Sequence, residues 1–504
     1  MSAALQERGA GIPLVIARAR SPAHQASAAP SRRAGSSWSG GSPRAPQWLL
    51  TLILLPGAGL EAMDAASSGA SDQPGTAPAP QVAPAAAPFD PLKGITANGM
   101  IPEVIKPADL PDPERWRFIP AGRIPPGNFF QRFLQTAFAG PFVYYDQEVG
   151  AGAGVSITDI DFRDQRRREL ASINAATSTL GQTEFSIDWE RFLAHRDLPD
   201  GGVLQEERSW ERVDIGYNRV LTRSFYGFGP DTASSDQTSF TDEEGYAGAQ
   251  WQHSLPRAGD DTVLTLGGQW QHHNLATGHV TGAPSTDAVY PALVAGVDGN
   301  DSLWLTVGLA YDTRDSQHNP YHGWDVGLTL DAAPLSSSQH QGGIVTARSS
   351  AVVPVGGIFH DHGQPHEEDP PTDVLAIGGF VQGSYGNLPF FDLPSLGGDD
   401  TLRAYVANRF TDHAAWHCSL EYRVWVLARG VRLTRLIAIE RLGVAPFFDI
   451  GSVAPNVGDL LHARPHESIG IGMRAMVERA SLFRFDVGFW RDSSSFSGGY
   501  GLTF

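Results

Sequence analysis

At 504 residues the chain could hold two or three ordinary domains or one large barrel. Hydrophobic residues make up 41% and the mean hydropathy is −0.20, which excludes a bundle of membrane helices but not a membrane β-barrel, where only alternate residues face lipid. A formal net charge of −18 argues against nucleic acid as a partner, and one cysteine, Cys418, excludes an intramolecular disulfide or a cysteine-rich metal site.

Residues 1–65 read as a targeting region. The first 46 are rich in Ser, Arg, Ala, Gly and Pro without periodicity. The apolar run Trp48–Leu55 is too short to cross a bilayer as a helix, Arg32, Arg33 and Arg44 precede it, and the small residues of Ala62–Ala70 follow. Basic, apolar, small is the order of a secretory signal peptide. Residues 66–90 form an Ala/Pro linker expected to be disordered. Residues 91–140 are proline-rich and read as a short periplasmic segment with one short amphipathic helix over 128–134, too small for a catalytic domain.

Residues 141–504 change character. In Leu303–Asp312, Leu303, Leu305, Val307, Leu309 and Tyr311 share one face, and Trp304, Thr306, Gly308, Ala310 and Asp312 the other. Trp324–Asp331, Ile469–Ala475 and Leu482–Trp490 alternate in the same way. Period two with one apolar face means β-strands. The polar face carries Arg and Asp at mid-strand, as in Arg474, Arg484 and Asp486, and no helices are interleaved. The predicted fold is therefore all-β, a transmembrane antiparallel β-barrel, because in a bilayer every backbone group must find an internal partner. About fifteen segments can be marked, and the even count usual for such barrels predicts sixteen, with the missing strand near residues 203–240. Tyr500, Leu502 and Phe504 alternate up to a terminal aromatic residue, as expected for a last barrel strand.

Leu396–Phe410, LGGDDTLRAYVANRF, stands apart. It lies between strands yet joins Gly397 and Gly398 to Asp399, Asp400 and Arg403, with Tyr405 and Phe410 after them. Glycines allow a tight fold-back and the arginine needs a carboxylate, so the segment reads as a loop folded inside the barrel.

Several motifs together resemble the C-terminal barrel of the BamA/TamA family, the bacterial surface-antigen superfamily. They are Ser224–Pro230 (SFYGFGP), Tyr311–Asp315 (YDTRD) with Pro320 and Gly323, Leu402–Tyr405 (LRAY), Leu420–Arg423 (LEYR), Phe447–Gly451 (FFDIG) and Arg484–Asp486 (RFD). The resemblance spans roughly residues 141–504 and implies a sixteen-stranded barrel that inserts or translocates polypeptides. Leu402, Ala404 and Tyr405 would flank Arg403 at the loop tip, with Ala404 standing where the family has Gly. No polypeptide-binding periplasmic repeats (POTRA domains) and no lipase domain are read before the barrel.

Strand parity puts Glu421 on the face of Ser419, Arg423 and Trp425, opposite the apolar face of Leu420 and Tyr422. Asp449 points inward if Phe448 and Ile450 face lipid. With both carboxylates inward, the resemblance implies that Arg403 reaches Asp449 with Glu421 nearby, as a latch in a wet lumen. A strand seam is expected between Val155–Ile160 and Gly498–Phe504, weakened by Gly150, Gly152, Gly154, Gly498 and Gly499 and ending at Phe504.

No phosphate loop, dinucleotide fingerprint or nucleophile elbow is present, so neither catalytic residues nor a cofactor are expected. His360, Asp361 and His362 with His366–Asp369 have metal-ligand chemistry but sit in a Pro-rich turn, where solvation is the simpler reading. His272 and His273 read as interfacial. The expected address is the bacterial outer membrane of a Gram-negative cell, the expected partners outer-membrane lipids, client polypeptides and barrel-assembly machinery. The alternatives are a passive pore or structural barrel and an outer-membrane enzyme such as a lipase.

Overall fold

The computed structural model describes residues 106–124, 133, 136–361, 371–428, 430–432, 438–477, 481–491 and 493–500. The expected signal peptide, the linker, the helix over 128–134 apart from Phe133, and Phe504 lie outside the described residues.

Among the described residues sixteen long antiparallel strands form a closed barrel. They are β1 Ala137–Asp146, β2 Gly150–Asp159, β3 Glu169–Ser178, β4 Thr183–Phe192, β5 Trp210–Phe225, β6 Thr238–Leu255, β7 Thr262–Thr277 and β8 Asn300–Asp312. Then follow β9 Gly323–Ser336, β10 Gly342–Val355, β11 Asp373–Gly386, β12 Ala414–Leu427, β13 Ala438–Ala454, β14 His466–Val477, β15 Ser481–Trp490 and β16 Ser493–Tyr500. Each strand pairs with the next in sequence, and β1 with β16. β5 occupies the stretch where sequence reading left a strand unmarked.

The alternation sets which way each residue faces. Leu305 and Val326 are 44% and 49% exposed, and their neighbours Val307, Leu309, Leu328 and Leu330 are also outward. Registered pairs such as Val307–Leu330 and Leu309–Leu328 continue the apolar rows from strand to strand. The inward sides instead carry buried polar groups: Asp312, Asp325, Glu421, Arg423, Asp449, Arg474, Arg484 and Asp486. The exterior is oily and the interior ionic, the inverse of a soluble domain. His272 and His273 must face opposite ways for the same reason. His272 pairs with Asp301 on the outer side, whereas His273 is buried against Asp242, 3.0 Å away, and so is not interfacial.

The first strand corrects the sequence reading. β1, AFAGPFVYYD, precedes the strand assigned to the seam, so the barrel closes through Ala137–Asp146 and Val155 belongs to β2. Pro141 removes a backbone donor, which obscures the strand in sequence.

At the end away from the inward loop, a small sheet places Val203–Glu206 between Trp116–Ile119 and His195–Asp197. Leu110, Trp116, Phe118 and Leu204 are its core, so residues 106–124 dock on the connection between β4 and β5.

Candidate functional site: the inward loop and the strand seam

Residues 387–413 connect β11 to β12. Phe390 and Phe391 at the loop base pack with Phe225, Phe240, Leu275 and Val297 from the wall and from the β7–β8 connection. The two-residue strands Ser395–Leu396 and Phe410–Thr411 then pair and carry the tip inward. Gly397, with φ +117°, turns the chain where a Cβ would lie 2.2 Å from the Val406 carbonyl oxygen, so only glycine fits.

Arg403 is the centre of the tip. Its Nε and Nη2 donate to the two carboxylate oxygens of Asp449, at 3.0 and 2.7 Å. Nη1 donates to Glu421 at 2.9 Å and to Asp486 at 3.5 Å, and Nη2 also reaches the Ser419 hydroxyl at 3.1 Å. The guanidinium lies 3.4 Å from the Phe447 ring centroid. Arg474 bridges Glu421 (2.7 Å) and Asp486 (2.6 Å) from the other side, and Arg423 adds a bond to Glu421. The side chains of Arg403, Glu421 and Asp449 have no exposed surface, so the wet lumen expected around them is dry at this point. A planar guanidinium with donors in a fork suits such a two-carboxylate pocket as lysine would not.

A second set of contacts ties the tip to the last strands. Arg484 on β15 donates to Asp399 at 3.1 Å and to Asp400 at 2.5 Å. Ser493 on β16 donates to the Ala404 carbonyl oxygen at 2.6 Å. Leu402 and Ala404 are buried completely, and Tyr405 packs edge-on against Phe410 and His466. The backbone at Ala404 has no positive φ, so alanine meets no strain where the resembling family has glycine.

The barrel closes beside this tip. Among the described residues the β1–β16 seam has one registered pair, Tyr145 opposite Gly498, supported by the Tyr145 and Phe496 rings at 5.3 Å. Gly498 and Gly499 lie in β16 and pair with Phe485 and Arg484 on their β15 side.

The Omp85 superfamily domain model matches residues 172–504, from β3 to the end of the sequence. The chain belongs to the Omp85 superfamily. No curated protein matches it by sequence. Solved structures similar to it include BamA from Haemophilus ducreyi lacking POTRA domains 1–3, with 14% identity, 72% of this chain and 70% of that chain covered, and a TM-score of 0.46. CdiB from Escherichia coli shares 12% identity, with 72% and 62% covered and a TM-score of 0.48. CdiB from Acinetobacter baumannii shares 11%, with 73% and 59% covered and a TM-score of 0.40. The chain thus spans about three fifths of each CdiB chain.

In this Omp85 barrel the structure also brings to the loop residues that the sequence reading had not placed there. The SFYGFGP turn is a docking site for the loop: Gly229 N–H donates to the Thr411 carbonyl at 3.0 Å, and the Arg409 guanidinium lies 4.5 Å from the Tyr226 ring. Ser419, Arg423, Arg474, Asp486 and Arg484 complete the pocket. Their inward parity was legible, but the point at which the loop tip meets them was not. His360 bonds Asp373 at 2.9 Å, while His362 and His366–Asp369 lie outside the described residues.

Proposed function

We propose that this Omp85 barrel inserts or exports polypeptides at the outer membrane of a Gram-negative cell, opening sideways between β1 and β16. One observation carries the reading: the inward loop is fastened to the last strands of the closure, with Ser493 on β16 donating to the Ala404 carbonyl oxygen at 2.6 Å and Arg484 on β15 holding Asp399 and Asp400. Backbone N–H and C=O groups left unpaired in lipid are costly, so a seam that parts would be a ready template for an incoming strand. A client segment would pair with the exposed edge and satisfy those groups as it enters. Outer-membrane lipids are then a partner as well as a solvent, and barrel-assembly machinery would build the protein itself.

The loop keeps the inner face of β12, β13, β15 and β16 in place while the seam yields.

Full-length protein in proteoliposomes tests this. It should convert an added unfolded outer-membrane barrel into a protease-resistant, membrane-embedded form faster than empty liposomes do. Client insertion at the empty-liposome rate, together with a large steady conductance that ignores removal of Leu396–Phe410, would instead establish a passive pore. The buried Arg403 pocket and the aromatic cluster at the loop base weigh against that alternative, because both fill the lumen.

A further inference from the structure

We propose that the β8–β9 turn, residues 313–322, is a second closure of the lumen, at the end opposite the inward loop, with Tyr321 and Arg441 as its clasp. The turn is longer than its task requires. Adjacent antiparallel strands can be joined by two to five residues, as in most hairpins. This connection uses 313–322 and folds inward rather than over the rim: Arg314, Asn319, Pro320 and Tyr321 are all buried.

Its root is fixed. Arg314 forms a bidentate pair with Asp312 (3.0 and 3.1 Å), and its guanidinium lies 3.6 Å from Asp325. The Arg208 guanidinium donates to the carbonyl oxygens of Asp312 and Arg314. Asp315 accepts the Tyr321 N–H at 3.0 Å and so bends the far limb back. Removing Gly323 would not be tolerated: its φ is +106°, and a Cβ would stand 2.6 Å from the Thr313 carbonyl oxygen.

Its reach is wide. On one side Gln317 accepts from Gln252 of β6 at 3.1 Å. On the other, Tyr321 packs against Val352 of β10 and Val374 and Ala376 of β11. The Tyr321 hydroxyl then accepts a hydrogen bond from Arg441 of β13. The turn therefore extends from β6 round to β13. The Arg441 guanidinium lies 5.3 Å from the Tyr321 ring centroid and 5.9 Å from that of Trp425, and Trp425 packs in turn with Met476 and Leu482.

An arginine at an open mouth would be hydrated. Arg441 is 2% exposed because Tyr321 and Trp425 enclose it. Two aromatic faces on one guanidinium make a contact that holds while the lumen is dry and loosens when water enters. Opening this end means withdrawing Tyr321 from Arg441 and swinging the turn outward about its root at Asp312 and Arg314. The solutes so controlled are hydrated ions and extended chain entering from that side. The inference concerns permeation and holds whether or not the seam inserts clients.

Planar-bilayer conductance of the full-length chain tests it. Arg403→Ala, which frees the loop, should raise conductance little by itself. Adding Tyr321→Ala should raise it several-fold. The proposal is overturned if the double variant conducts no better than Arg403→Ala, or if Arg403→Ala alone reaches the level of the double variant. Should Tyr321→Ala not fold, Tyr321→Phe keeps the ring and loses the hydroxyl bond. In a Cys418→Ser background, a thiol placed at the inward Thr329 should then react several-fold faster with a small maleimide when Tyr321→Phe is present. An unchanged labelling rate in the folded barrel would overturn the proposal equally.

Discussion

The hydroxyl of Ser493, on the last barrel strand, donates to the carbonyl oxygen of Ala404 at the tip of the inward loop, 2.6 Å away. The loop that Arg403 fixes to β12 and β13 thus also touches the strand that forms one lip of the seam.

The same approach leaves no room on β15. A Cβ at Gly488 would stand 2.3 Å from the Arg403 carbonyl oxygen, a backbone atom that cannot swing aside. Gly488→Val should therefore displace the tip while leaving every charge of the pocket in place. Limited proteolysis of the folded barrel should show new cleavage within Leu396–Phe410. A variant as resistant as the parent would contradict the close approach.

Arg403→Ala should act through the charges it strands. Glu421 and Asp449 would remain buried beside Arg474 and Arg423 with one cation fewer, and breaking a buried pair of this kind costs roughly 3–5 kcal/mol. The folded barrel should lose its heat-resistant gel mobility at a markedly lower temperature. Glu421→Gln and Asp449→Asn should each lower it less than Arg403→Ala, because they remove a carboxylate but keep the hydrogen-bonding shape. Equal melting of all three and the parent would count against the latch.

His318 gives the β8–β9 turn a pH dependence. Burial pushes its pKa below the ordinary 6.5; Glu207 opposes this, and Arg212, Arg117 and Arg314 add to the depression. A histidine depressed in the folded state binds fewer protons there than in the unfolded chain. Its contribution to stability is complete above 6.5 and is lost as pH falls below that value. Protection of residues 313–322 from proteolysis should decline from about pH 7 to about pH 5, and His318→Gln should flatten that decline. Identical profiles for parent and variant would exclude His318 as the cause.

Much of this architecture is written in the sequence because a barrel wall obeys period two. The outward set at Leu305, Val307 and Leu309, and the inward parity of Glu421 and Arg423, follow from pleat alone. That Arg403 meets Asp449 and Glu421 was an expectation of the resemblance to the BamA/TamA barrel, to which parity added only that both carboxylates face inward. What pleat does not encode is which element meets which across space. The Arg484 contacts with Asp399 and Asp400, and the reach of Tyr321 to Arg441, depend on where a loop tip falls, not on any local pattern. β1 was hidden for another reason: Pro141 and the small residues around it break the alternation.

The central claim is that the β1–β16 seam must part for the protein to act, and a reversible lock across it tests this most directly. In a Cys418→Ser background, Tyr145→Cys with Gly498→Cys joins a registered pair of the seam. Client-barrel insertion by proteoliposomes should fall to the empty-liposome rate on oxidation and return on reduction. Insertion that proceeds equally with the seam oxidised and reduced would contradict the account.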